Sequence, residues 1–341
     1  MIHALTGDRL EQVDPAKLAS VLNGLKDPET PVTWVHSESG PGIVQALDDF
    51  GLDEVAVKSL RDGPERPRVE EFADHLYVSL FSADNRVSRK KRDLPEIERG
   101  DGEPSERLHV SDLPRLRELR MFLGQRWIVS VGHIHAEDYD MLVERMRRQV
   151  FARGRGPSFI AYHISEWLVE TLQPALEELD DRIDGLEDQV VLGSGQEPMQ
   201  ELFALKRDLV DLRRRVAPLR DVMQRLGSHG VLYVESDTEA YFRDVHDDVM
   251  RVIELLDTYR DILSSALDLH LSSVSNRLNQ VMKQLTVVAT MFMPLSFLVG
   301  LFGTNFTRMP FGSSFWYIMM WVLMAASVVG FLLYSKRRLR Q

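Results

Sequence analysis

The sequence predicts an α+β domain, a mixed sheet with helices, followed by a long stalk helix and a two-helix transmembrane hairpin. Three observations carry this. A run free of Gly and Pro, helical in character, extends from Val231 to Met293. Two apolar segments then follow in quick succession, Leu285 to Phe302 and Phe315 to Tyr334, about 18 and about 20 residues long, each enough for a hydrocarbon core roughly 30 Å thick. Upstream, residues 31 to 135 mix strand-like with helix-like segments.

In chain order, the first 30 residues are polar and interrupted by Pro15 and Pro28, without the charged-then-apolar pattern of a signal peptide, so the N-terminal part is expected in the cytosol. Pro31 to His36, Leu76 to Phe81, Leu119 to Leu123 and Arg126 to Val131 read as strands, with Gly124-Gln125 as a hairpin turn. Gly42 to Phe50 and Asp53 to Leu60 read as helices between them. From Ser82 to Pro114 the chain turns polar and Gly/Pro-containing, which predicts a long loop. Its basic run, Arg89 to Arg92, lacks interleaved aromatics and reads as a solvated patch, not a nucleic-acid site.

From about Ala136 the pattern is helical. Residues 157 to 192 carry an acidic stretch from Glu177 through Asp181 to Asp184, Glu187 and Asp188. Gly193-Ser-Gly195 turns it into a helix rich in bases, among them Lys206, Arg207, Arg213, Arg214, Arg215, Arg220 and Arg225. An antiparallel pair of opposite charge is expected, with mutual salt bridging on a solvated face; the functional alternative is that excess carboxylates concentrate cations.

Residues 1–235 thus form the cytosolic domain and 236–284 the stalk, opening at the capping-box pattern Ser236-Asp-Thr-Glu239. At about 1.5 Å per residue the helix running to Gly303 is on the order of 100 Å long. It must pack against copies of itself or against the preceding helices, and a two-span protein that conducts ions needs several subunits around its pore. Residues 285–303 and 315–335 are the spans, 304–314 an outer (periplasmic or extracellular) loop and 336–341 a basic tail. Pro294 is tolerated within a span where neighbours and hydroxyls such as that of Thr290 re-satisfy the freed carbonyl. Arg277 and Lys283 before the first span, and Lys336, Arg337, Arg338 and Arg340 after the second, outweigh the single Arg308 of the loop. This charge bias places both termini in the cytoplasm of a multi-pass inner (plasma) membrane protein.

Composition narrows the partners. The formal net charge of −11 disfavours nucleic acid and favours cations. With no cysteine, disulfides, thiolate metal sites and thiol nucleophiles are excluded. No phosphate-cradling Gly-rich loop and no nucleophile–base arrangement stands out, so the chain does not read as an enzyme. His133-Ile-His135 offers two imidazoles but ends a strand without an obvious third zinc ligand, and reads as structural.

Three groups of residues carry chemistry. Asp247, Glu254, Asp261 and Asp268 recur every seven residues and share one face of the stalk, a ladder of the hard oxygen ligands that Mg²⁺ prefers, unless they point to water or pair with Arg251 and Arg260. Asn279, Met282, Leu285, Ala289, Met293 and Ser296 follow at steps of three and four, within a sector of roughly 120°. Facing a pore, Asn279 and Ser296 offer neutral oxygens, and Met282 with Leu285 forms a constriction that gates by dewetting; ordinary helix packing is the alternative. Gly303-Thr304-Asn305 ends the first span as a left-handed cap, or as a ring of Asn305 amides accepting hydrogen bonds from the water shell of Mg²⁺.

These motifs resemble the CorA family of divalent-cation channels over nearly the whole chain. The most specific stretches are Leu271 to Asn279, Met282 to Thr286, Phe292 to Leu295 and Gly300 to Phe306 with Met309-Pro310, joined by Tyr241 to Val245 and Arg66 to Glu71. The resemblance implies a homopentameric funnel in the lipid bilayer, a pore lined by the first span, and closure when Mg²⁺ binds between subunits. Asn279, Met282, Leu285, Met293 and Asn305 match the family's pore positions, and Asp268 and Asp244 its acidic sensing positions. Thr304 replaces the Met of the family's Gly-Met-Asn, as the middle residue also varies in zinc-transporting relatives, and the outer loop carries Arg308 in place of carboxylates. Mg²⁺ is therefore the expected transported and regulatory ion, with Co²⁺, Ni²⁺ and Zn²⁺ as further substrates. A zinc transporter of the same architecture and a non-conducting metal sensor are the competing readings.

Overall fold

The computed structural model describes residues 2–7, 9–27, 29–38, 41–61, 66–84, 115–191, 197–303 and 314–338. The chain divides into two compact units, Met1–Leu267 and Asp268–Gln341. The Arg89–Arg92 run, the Gly193–Gly195 turn, Thr304, Asn305, Arg308 and Arg340 lie outside the described residues.

The first unit is built on a seven-stranded mixed sheet in the order β2-β1-β3-β7-β6-β5-β4. Its strands are β1 (Ile2–Thr6), β2 (Arg9–Gln12), β3 (Thr33–Ser37), β4 (Arg68–Glu71), β5 (Leu76–Asp84), β6 (Arg115–Leu123) and β7 (Trp127–Gly132). Only β3 and β7 pair in parallel, Val35 opposite Val129; every other neighbouring pair is antiparallel. Helices α1 (Pro15–Gly24), α2 (Pro41–Phe50) and α3 (Glu54–Ser59) cover one face, where Leu18, Leu22, Leu47 and Val57 meet Val35, Tyr77, Phe122 and Val129. The opposite face, with Trp34, Val78, Leu80, Met121 and Ile128, packs against α4 (Ala136–Gln149) and α5 (Pro157–Glu170). Period-two alternation along β5 to β7 sorts these side chains to the two faces. The β6–β7 hairpin closes through Gly124, whose N–H donates to Trp127 O at 2.9 Å. A Cβ there would lie 2.2 Å from the Trp127 ring, so only glycine fits.

Three strands, β1, β2 and β4, and helix α1 stand where the sequence reading assigns no element. The helix expected over 157 to 192 is two helices, α5 and α6 (Gln173–Val191). The break falls at Thr171, whose Oγ1 donates to Leu168 O at 2.6 Å and accepts from Ala83 N at 2.9 Å, tying the junction to β5.

Helices α6, α7 (Glu197–Leu226) and the first part of α8 (Glu239–Phe302) complete this unit. Apart from Ile253, the residues of α8 buried here, Phe242, Val245, Val249, Val252, Leu256, Tyr259, Leu263 and Ala266, recur at alternating steps of three and four. That is the seam of a coiled-coil-like packing, and each large apolar side chain so buried contributes about 1.5–3 kcal/mol. The mutual salt bridging expected between the acidic and basic helices is not what holds α6 to α7. Leu179, Ile183 and Leu186 pack in one core with Leu205, Leu209 and Leu212, beside the ion pair Arg182–Glu201 at 3.4 Å. The bases of α7 reach elsewhere: Arg213 forks onto Asp257 at 2.7 and 3.0 Å, Lys206 reaches Ser264 at 2.8 Å, and Arg225 pairs with Glu71.

The start of α8 also differs from the expected capping box. The helix begins at Glu239, which puts Thr238 and not Ser236 at the cap position. Glu239 turns out to His229 Nδ1 at 3.0 Å.

The second unit holds the remainder of α8, with Pro294 inside it, and α9 (Ser314–Arg338). Both helices are long and apolar enough to cross a membrane. Thr286 and Thr290 donate their hydroxyls one turn back, to Met282 O and Thr286 O at 2.8 Å each, so the Thr290 hydroxyl does not reach the carbonyl that Pro294 leaves without its partner. Gly303 donates its N–H to Val299 O at 2.9 Å, and it is not one of the glycines with positive φ, so the left-handed cap is not formed there.

Candidate functional site

The candidate conduction face lies on α8 within the second unit. Because α8 is continuous through these residues, the three- and four-residue steps hold Asn279, Met282, Leu285, Met293 and Ser296 in one sector. All five side chains are exposed; Met282 is 61%, Leu285 64% and Met293 73% accessible. Exposure does not single them out, since every residue from 271 to 290 is exposed. Leu269, Leu271, Leu278 and Val281 add apolar surface that one chain leaves bare before the spanning stretch begins. Apolar area of this extent signals an interface or a membrane.

The carboxylate ladder is sorted by its ion pairs. In the first unit Asp244, Asp247, Glu254 and Asp261 are exposed, as is Asp268 in the second. Arg260 takes Asp261 at 3.0 Å and Asp257 at 3.4 Å, while Arg251 pairs with Asp248, which is not a ladder residue. Asp247 lies 3.3 Å from His246 Nδ1. Asp244, Glu254 and Asp268 make no ion pair among the described residues. The pairing with Arg260 is thus present at Asp261, while Asp244, Glu254 and Asp268 stay exposed. Sequence spacing gave no sign that Asp248 and Asp257 would draw off the arginines, because i to i+3 and i+4 partners compete equally on a helix surface.

Acidic side chains of α6 flank the same stretch of α8. Burial first, then the hydrogen bond to Asp180 and the charges of Asp180, Asp184 and Glu177, push the Tyr259 phenol up to about 12. Among the described residues of one chain, no three His, Asp or Glu side chains converge on a point that could hold a metal. The ladder offers hard oxygen donors one or two at a time, the donor type that suits Mg²⁺.

Comparison with known proteins bears on this arrangement. The family model described as "CorA-like Mg2+ transporter protein" matches residues 30–337. The chain is 31% identical to the cobalt/magnesium transport protein CorA of Thermotoga maritima over 289 residues, covering 84% of this chain and 76% of that protein. It is 24% identical to the zinc transport protein ZntB of Pectobacterium carotovorum, covering 98% and 95%. Among solved structures, the complete CorA magnesium transporter of Methanocaldococcus jannaschii superposes with a TM-score of 0.76 at 21% identity, over 99% of this chain and 98% of that one. At that identity the superposition shows the shared fold.

Proposed function

Since this chain belongs to the CorA-like Mg²⁺ transporter family and is a membrane transporter of divalent cations, we propose that it is a homopentameric channel for Mg²⁺ and Co²⁺ uptake, closed by cytosolic Mg²⁺ bound between subunits. The observation that carries this reading is the uncovered first half of the second unit. A helix exposed on all sides from residue 271 to 290, apolar at Leu278, Val281, Met282 and Leu285, needs copies of itself to cover it, and a ring of such helices encloses an axial path.

In this reading Asn279 and Ser296 offer neutral oxygens along the path, and Met282, Leu285 and Met293 narrow it with apolar rings that stay dry when closed. Gly303, Thr304 and Asn305 form the outer filter. Amide oxygens from several Asn305 side chains accept hydrogen bonds from the water that Mg²⁺ retains. Asp268 and Asp244, supported by Glu254, Asp261 and Asp247, take regulatory Mg²⁺ with carboxylates of a neighbouring subunit. Bound cations then offset the repulsion among these carboxylates, and the helices draw together. Both termini lie in the cytoplasm of the inner (plasma) membrane.

The second reading is a zinc transporter of the same architecture. It is favoured by the zinc transport relative that matches 98% of the chain and by Thr304 in the middle position of the filter motif. Uptake into cells expressing Asn305→Ala tests the filter in either reading. Near-complete loss is expected, and uptake equal to that of the unaltered protein would remove Asn305 from the filter. Zn²⁺ competing with Mg²⁺ for entry separates the two readings.

A further inference from the structure

His133 and His135 stand at one end of the sheet, outside everything the transport reading uses. The chain leaves β7 through Gly132, where a Cβ would lie 2.7 Å from Glu118 O. Ile134 is buried in the core, and the two histidines on either side of it turn to the same side. Their rings meet edge to face at 85°, with His133 Nε2 3.3 Å from His135 Nδ1.

The opposite nitrogen of each ring faces a carboxylate. His133 Nδ1 lies 3.5 Å from Glu38 Oε1, at the end of β3, and His135 Nε2 lies 3.2 Å from Asp84 Oδ1, at the end of β5. Asp84 is itself buried and fixed by Arg117 Nε at 2.7 Å. A carboxylate on the far nitrogen draws the imidazole proton to that side and orients the ring. At His135 this assigns the proton to Nε2, facing Asp84, and leaves Nδ1 to accept a long hydrogen bond from His133 Nε2 at 3.3 Å. A cation can replace the proton shared between these two nitrogens, the His133 proton then moving to Nδ1 beside Glu38. The separation agrees: 3.3 Å is longer than an ordinary nitrogen-donor hydrogen bond, and two nitrogens each about 2.0–2.1 Å from one tetrahedral ion lie about 3.3–3.4 Å apart.

We propose that His133 and His135 form a two-histidine site for a divalent cation of the Zn²⁺, Co²⁺ or Ni²⁺ class, with Glu38 and Asp84 orienting the rings and water completing the coordination. Imidazole donors suit these ions, whereas Mg²⁺ seeks oxygen. With two protein donors the site is exchangeable, in keeping with the absence of any three-residue cluster among the described residues. It would tell these metals from Mg²⁺ on the first unit and tie the ends of β3, β5 and β7 together when filled.

The test uses the purified full-length protein, with Zn²⁺ titration calorimetry in excess Mg²⁺ and the electron paramagnetic resonance spectrum of added Cu²⁺ as probes. The expected result is a Zn²⁺ site that survives the Mg²⁺, disappears in both His133→Ala and His135→Ala, and weakens about tenfold or more in Glu38→Gln. The Cu²⁺ spectrum should show nitrogen splitting that the two histidine variants lose. If either alanine variant fails to fold, His133→Gln, at a partly exposed position, takes its place. Unchanged Zn²⁺ binding in the histidine variants, or displacement of Zn²⁺ by Mg²⁺, would overturn the proposal. Ion flux does not enter these readouts, so the site stands or falls independently of the transport reading.

Discussion

The hydroxyls of Ser158 and Thr238 meet at 2.6 Å, both fully buried, and join the first turn of α5 to the cap of α8. Ser158 Oγ also accepts from Glu235 N at 3.4 Å, and Gly156 lies so close that a Cβ would sit 1.8 Å from Glu235 Oε1. The long helix is thereby anchored to the sheet-bearing layer at the point where it starts.

Removing either hydroxyl leaves the other buried without this partner, at a cost of about 1–3 kcal/mol. Ser158→Ala and Thr238→Ala are each expected to destabilise the first unit by that amount in urea denaturation, and the double variant by clearly less than their sum. Simple additivity would show that the two hydroxyls act separately.

Acid sensitivity has a specific source in His36. Its ring is buried against Trp34 and Tyr139, with Nδ1 2.9 Å from Ser130 Oγ. Burial, then the charge of nearby His3, lowers its pKa from 6.5 to about 3. Between these values the unfolded chain binds the proton and the folded one does not, so stability is full above pH 6.5 and falls as the pH drops toward 3. About 2 kcal/mol is lost by pH 5. Denaturation midpoints of the unaltered protein at pH 7 and pH 5 should differ by more than those of His36→Gln; equal differences would assign the effect elsewhere.

Much of this molecule was legible in the sequence. The strands containing Val78, Met121 and Val129 announce themselves by apolar alternation, and the stalk by its lack of Gly and Pro. Two of the three missed strands, β2 and β4, are ones that propensity describes worst. Arg9–Gln12 is exposed along its whole length and Arg68–Glu71 is a short charged strand, and both are sheet edges, where charge guards against pairing with other chains. Charge runs misled for a related reason. The acidic and basic residues of α6 and α7 were conspicuous, but Leu and Ile seams hold those helices, and Arg213 found Asp257 on a third element. The carboxylates opposite His133 and His135 stand at the ends of strands about 95 and 50 residues earlier in the sequence, a juxtaposition only the sheet order creates.

If Met282 and Leu285 close the path by staying dry, a polar side chain there should wet it. Leu285→Asn is expected to raise resting Mg²⁺ flux several-fold and to blunt its suppression by cytosolic Mg²⁺. Unaltered flux and suppression would move the constriction elsewhere on α8.

If Asp244 and Asp268 take regulatory Mg²⁺, neutralising them should act on regulation and leave the path intact. In Asp244→Ala/Asp268→Ala, the Mg²⁺ concentration that halves flux is expected to rise about tenfold, equivalent to about 1.4 kcal/mol of lost coupling. An unshifted concentration would return these residues to plain solvation.

The most direct test of the central claim is ion flux into liposomes containing the purified protein, comparing Mg²⁺, Co²⁺, Ni²⁺ and Zn²⁺ with and without Mg²⁺ on the cytosolic face. Mg²⁺ and Co²⁺ entry that cytosolic Mg²⁺ suppresses is the predicted result. Flux of Zn²⁺ alone would contradict it in favour of the zinc transporter, and no flux of any ion would leave a non-conducting metal sensor.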